Sequence, residues 1–183
     1  MSIKVELKRL VNEEVLWCVE PFPGDRASRT VLVTSPINSM LESAAGESRI
    51  GQLRADLQSI VAGDELTMSF QPFKHRKATI GILDPATEGT WEIRSRHPSP
   101  GLRVFGRFAD VDSFVAIDWA PRSKPLDGFD KKPLLGRASL EYQLAQIEVE
   151  EFWKKHLAGV SAVLGDDCGD YFSARCTSIG AAW

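Results

Sequence analysis

The stretch LRVFGRFADVDSFVAIDW, residues 102–119, decides the fold class. Its side chains alternate along two β-rich runs, Leu102 to Phe108 and Phe114 to Trp119, on either side of a tight Ala109-Asp110-Val111-Asp112 link. That pattern predicts two strands joined as a hairpin. Toward the N-terminus, residues 66–70, 78–83 and 90–94 read as further strands, the first two flanking the basic turn Lys74-His75-Arg76-Lys77. Residues 3–10 place Ile3, Val5 and Leu7 against Lys4, Glu6 and Lys8, which is the period-2 pattern of a half-buried strand. With 15–19 and 30–33, and a turn at Pro21-Phe22-Pro23-Gly24-Asp25, they form an expected N-terminal β meander.

Between the two β regions the period changes to that of helices. Thr34-Ser35-Pro36 supplies a hydroxyl cap and a proline at the first helical position, predicting a helix over 36–45 that stops at Gly46. A second runs from Ser48 to Gly63, with Ile50, Leu53, Leu57, Ile60 and Val61 on one face. After a Pro/Gly/Lys-rich loop, 121–133, a long helix is predicted over 138–157. Leu140, Leu144, Ile147 and Glu151 mark one stripe of it, while Tyr142, Val149, Phe152 and Trp153 mark a second apolar face. The expected fold is a single α+β domain over 1–183. In it an antiparallel sheet carries two helices from the N-terminal half and one long helix from the C-terminal half. The core is expected at 36–157, with the meander at 1–35 and an extension at 158–183.

Hydrophobic residues at 43% and charged residues at 26% match an ordinary globular chain and exclude a disordered one. No stretch approaches the roughly 20 apolar residues that cross a bilayer, and charges occupy the start where a signal peptide needs its apolar core. A cytoplasmic protein without a membrane partner is therefore expected. Cys18, Cys168 and Cys176 are an odd, widely spaced set that suits a reducing compartment, and the gap between the last two matches no common zinc spacing. Net charge is −3, yet between Gln71 and Lys132 there are 11 Lys and Arg against 8 Asp and Glu, leaving 11 against 17 elsewhere.

The basic excess lies on the second β region: Arg94, Arg96, Arg103, Arg107 and Arg122, with Lys74, Arg76, Lys77 and Lys124 near them. Arg103 and Arg107 are four apart, so a regular strand points both to one face and Val104 and Phe108 to the other. Two guanidinium groups on one face are a candidate phosphate clamp, because the planar fork donates paired hydrogen bonds and keeps its charge near neutrality. The competing expectation is that Glu92, Asp110, Asp112 and Asp118 on neighbouring strands pair with these arginines.

The order strand, two helices, Trp91-Glu92-Ile93-Arg94, Leu102-Arg103-Val104-Phe105, Phe114-Val115-Ala116-Ile117-Asp118-Trp119, basic loop and long helix resembles the RelE/HigB/ParE-type toxins. The resemblance covers about 36–157 and is most specific over 90–124. It implies a microbial, metal-independent endoribonuclease acting on ribosome-bound RNA, with an antitoxin or other protein as partner and no cofactor. By the same resemblance, Arg103 matches the family's middle-strand arginine and Arg122 the one following the last strand, with Lys124 as a helper. The reaction is attack of a ribose 2′-OH on the adjacent phosphorus, which needs a base, cations and an acid. A different expectation is a non-catalytic phage or mobile-element protein whose surface binds another protein.

Arg94, Arg107, Lys74, Arg76, Lys77 and Lys124 are then the expected RNA contacts. His97, in the Arg96-His97-Pro98 loop, is the best placed acid–base candidate beside Arg103 and Arg122. His75 falls in the basic turn and His156 in a last helical turn, where positive charge complements the dipole. Trp17, Trp91, Trp119, Trp153 and Trp183 are expected to anchor the core or an interface.

Overall fold

A computed structural model describes residues 2–43, 47–72, 74–75, 77–136 and 139–179. These form α1 (Ile3–Asn12), β1 (Leu16–Cys18), β2 (Thr30–Thr34), α2 (Ser35–Glu42), α3 (Ser48–Ala62), β3 (Leu66–Ser69) and β4 (Ile80–Ile82). There follow β5 (Trp91–Ser95), β6 (Leu102–Asp110), β7 (Ser113–Pro121), α4 (Leu140–His156) and β8 (Cys176–Ile179).

The strands make one sheet in the order β1-β2-β7-β6-β5-β4-β3-β8. It is mixed, which corrects the antiparallel expectation. The hairpin and its neighbours, β4 to β7, are antiparallel as read, whereas β2 lies parallel to β7, and β3 lies parallel to both β4 and β8. Pairing of Val31 with Phe114 and Val33 with Ala116 joins segments some eighty residues apart. No turn between them signals direction, because both helices α2 and α3 and four strands intervene. Likewise β3 and β4, expected around a basic turn, run parallel, with Met68 opposite Ile80 and Ser69 opposite Gly81.

The predicted strand over 3–10 is α1. Ile3, Leu7, Leu10 and Val11 fall at helical spacing and pack on the sheet, while Val5, which completed the alternating pattern, is 55% exposed. Four helices therefore pack on the sheet among the described residues, not three. The other helices fall where read, although Thr34 caps differently: its hydroxyl donates to the Ile117 carbonyl at 2.8 Å, fastening β2 to β7. Gly63, at φ +86°, ends α3. The expected stop at Gly46, the start of α4 at 138 and Trp183 lie outside the described residues.

Two apolar layers result. On one face Val31, Val33, Ile93, Val104, Phe108 and Trp119 pack against α2 and α3, around a cluster of rings that includes Trp91 and Tyr171. On the other, Leu32, Phe105, Val115, Ile117 and Ala120 meet α1 and the Tyr142, Val149 and Trp153 face of α4. Within residues 158–179, Val160 and Ala162 pack on the second layer, whereas Val163, Cys168, Tyr171, Phe172 and Cys176 belong to the first. Arg29, only 5% exposed, donates to the carbonyls of Asp64, Ala174 and Arg175 and lies over the Phe172 ring. That clamp holds β8 beside β3.

Candidate anion-binding site

The alternation of β5 sends Glu92 and Arg94 to the α4 side of the sheet, between the inward-facing Trp91, Ile93 and Ser95. Across the ladder, Arg94 stands opposite Arg103 and Glu92 opposite Phe105, so all four side chains share one face. The chain leaving β7 adds Arg122, whose backbone N–H donates to the Gly101 carbonyl at 2.8 Å and which bridges to Leu134. Tyr142 descends from α4, edge-on to Phe105.

Glu92, Arg94, Arg103, Arg122 and Tyr142, with Arg96, Ser99, Pro100, Gly101 and Ser123, line a cavity of about 340 Å³. Glu92 is its organising residue. Its Oε1 accepts from Arg94 Nε at 2.7 Å, and its Oε2 accepts from the Tyr142 hydroxyl at 2.9 Å and lies 3.5 Å from Arg103 Nε. The guanidinium groups are held further by main-chain oxygens: Arg94 Nη1 donates to His75 and Ala78, and Arg103 Nη1 to Ser95 and Leu102. Arg96 also donates to the Ala78 carbonyl. Room for Arg94 depends on Gly81 of β4, where a Cβ would come within 2.6 Å of the Arg94 Cζ.

Four guanidinium groups thus face one carboxylate, a formal excess of three positive charges among the described lining residues. Burial pulls Arg103 below its ordinary pKa against the attraction of Glu92. Burial does the same to Arg96, and there Arg103 and Arg94 add like-charge repulsion. Both remain cations, since arginine starts above about 12. Among the described residues no side-chain or main-chain acceptor meets the Arg122 guanidinium. An anion entering here relieves mutual repulsion and finds donors already oriented. Burial raises the Tyr142 phenol well above its ordinary value, and Glu92 adds to the shift, so the phenol keeps its proton throughout the neutral range.

Of the residues singled out from sequence, Arg94, Arg103 and Arg122 converge here. Arg107 shares the face of Arg103 but is directed elsewhere: its Nε donates to Thr90 Oγ1 at 3.3 Å and its guanidinium lies 5.9 Å from the Trp153 ring. His97 lines an adjoining cavity, with Asp56 and Thr79, that shares Arg94 and Arg96. Lys124 lines a third, with Arg49, that shares Ser99 and Pro100. Lys74 and Lys77 are exposed in the turn whose carbonyls hold Arg94, and Arg76 lies outside the described residues.

The expected neutralisation by carboxylates occurs at Glu92 alone of the four acids named. Asp118 pairs with Lys131, Asp112 faces Arg29, and Asp110 accepts from the Val111 N–H. Sequence reasoning did not place Glu92 or Tyr142 in the site. The Glu92-Ile93-Arg94 spacing carried the signal for the first, whereas nothing in the α4 pattern separates Tyr142 from a core residue. Cys168 and Cys176 belong to the C-terminal packing, where the Cys168 thiol donates to the Cys176 carbonyl at 3.1 Å. No group of three or more potential metal ligands occurs among the described residues.

Comparisons of the chain with protein-family models, with curated proteins and with solved structures each returned no match.

Proposed function

We propose that the chain is a toxin-like RNA-binding domain that seats one phosphate group of single-stranded RNA in the arginine cavity and cleaves beside it. The observation that carries this reading is the convergence of Arg103 and Arg122 on one cavity, together with Arg94 and Arg96. The succession β2, α2, α3, then β5, β6, β7, basic loop and α4, on which the resemblance to RelE/HigB/ParE-type toxins rests, is present with β3 and β4 inserted between α3 and β5.

The roles follow from position. Arg103 and Arg122 contact the phosphate oxygens and stabilise the charge that develops as the 2′-oxygen bonds to phosphorus. Glu92 takes the 2′-OH proton, and the protonated phenol of Tyr142 gives its proton to the departing 5′-oxygen as the P–O5′ bond breaks. A 2′,3′-cyclic phosphate and a 5′-hydroxyl end result. The 2.9 Å hydrogen bond between the two side chains then returns the proton from Glu92 to the phenolate, restoring the starting state. Arg94, held by Glu92 and by main-chain oxygens, fixes the carboxylate in place.

Expression of the chain in a bacterial host, with and without Arg103→Ala and Arg122→Ala, tests the proposal. Growth arrest accompanied by RNA fragments ending in cyclic phosphate is expected for the parent chain alone. Arrest that persists in the double variant, or an absence of such fragments, overturns it.

A further inference from the structure

The arginine cavity holds more positive charge and more room than one internal RNA phosphate uses. Glu92 offsets one of its four guanidinium groups, and Asp56, in the adjoining cavity, attracts Arg96. Four cations less Glu92 leave three positive charges, and less Asp56 they leave two. A phosphodiester brings a single negative charge, a phosphate monoester about 1.5 to 2, and a diphosphate roughly one more than the monoester. The diphosphate is the one that balances the cavity.

The space and the donors point the same way. A volume of about 340 Å³ falls within the roughly 300–1,000 Å³ of small-molecule sites, well above what one phosphate group fills. Among the described lining residues Pro100 and Tyr142 alone offer carbon surfaces, and the Tyr142 ring is already packed edge-on to Phe105. The cavity thus favours a compact phosphoryl group over a base. Internal contacts hold Arg94 by Nε and Nη1 and Arg103 by Nη1. Their Nη2 groups, like the Arg122 guanidinium, meet no acceptor among the described residues. Charged donors from three segments therefore remain for a ligand.

We propose that the cavity binds a diphosphate group, free or at the end of a nucleotide, more tightly than an internal phosphodiester, and that this ligand shuts RNA out. The binding inference stands on the cavity alone. The exclusion of RNA rests on the reading of the site given above.

Isothermal titration calorimetry of the full chain, at low salt and without magnesium, compares dimethyl phosphate, inorganic phosphate, pyrophosphate and ADP. Pyrophosphate is expected to bind at least ten-fold more tightly than phosphate, and phosphate more tightly than dimethyl phosphate. ADP within ten-fold of pyrophosphate upholds the proposal with a nucleotide as the source, and weaker ADP upholds it with the free anion. Arg96→Gln should lower pyrophosphate affinity at least ten-fold with circular dichroism unchanged. Equal affinity for pyrophosphate and phosphate in the parent chain overturns the proposal without recourse to a variant. So does pyrophosphate binding that both Arg96→Gln and Arg103→Ala leave intact, because the anion then sits elsewhere. Competition with a labelled single-stranded RNA separates the two readings. RNA that stays bound when pyrophosphate saturates the chain overturns the exclusion, whereas a chain that takes pyrophosphate and has no RNA affinity overturns the RNA reading and upholds the diphosphate site.

Discussion

Tyr142 on α4 donates its hydroxyl to Oε2 of Glu92 on β5, a 2.9 Å bond that spans fifty residues and fastens helix to sheet inside the arginine cavity. Glu92 also takes Arg94 of its own strand and pairs with Arg103 of β6, so a single buried carboxylate ties together β5, β6 and α4. The same contact decides stability and electrostatics, and its removal separates the two.

Glu92→Gln should destabilise the fold by about 3–5 kcal/mol, the range for removing one partner of a buried charge pair, because Arg94 and Arg103 lose their counter-charge. Urea denaturation of the variant measures this. Anion affinity at the cavity should rise in the same variant, since the formal excess of positive charge grows by one.

Tyr142→Phe should cost about 1.5–3 kcal/mol, the worth of a hydrogen bond to a charged group. It should also change the alkaline limit. The folded phenol titrates above its unfolded value of about 10, so its contribution is complete below that pH and is lost as pH climbs through 10 toward the folded value. Denaturation midpoints between pH 9 and 11 should therefore fall more steeply for the parent chain than for Tyr142→Phe. Equal slopes would contradict the burial of this phenol.

Gly81→Ala adds a methyl group where the Arg94 guanidinium lies. A loss of about 1–3 kcal/mol is expected, as for overpacking at a buried site, together with weakened anion binding because Arg94 must leave its carbonyl partners. Thermal unfolding and phosphate titration read the two effects separately.

Arg29→Ala removes the donor that holds the carbonyls of Asp64, Ala174 and Arg175. Hydrogen exchange should speed up over β8 and β3 in this variant before it changes elsewhere, since the clamp is local. Uniform acceleration would show that the C-terminal segment is not held by Arg29.

Much of this was legible in the sequence wherever a single local period dominated. The β6–β7 hairpin, α3 with its Gly63 stop and the long α4 fall as read because their patterns extend over many residues. Residues 3–10 carried two periods at once, and the helical one won because Leu7 and Leu10 bury together while Val5 does not. The parallel pairings of β2 with β7 and of β3 with β8 left no local mark, since strand direction is fixed by tertiary closure. At the site, same-face reasoning within β6 joined Arg103 to Arg107, whereas the operative neighbour of Arg103 is Arg94 across the ladder. Register between strands, which period alone does not supply, made that difference.

The central claim is that the guanidinium of Arg122, beside that of Arg103, receives a phosphate. It is tested most directly by fluorescence anisotropy of a short labelled single-stranded RNA titrated with the parent chain and with Arg122→Ala across a salt series. Affinity in the parent chain should fall with added salt, and Arg122→Ala should bind about ten-fold or more weakly at low salt, with the log–log slope flatter by about 0.7 and with unchanged thermal stability. Equal affinity and equal slope in the two proteins, or no RNA binding by the parent chain at low salt, would contradict the account.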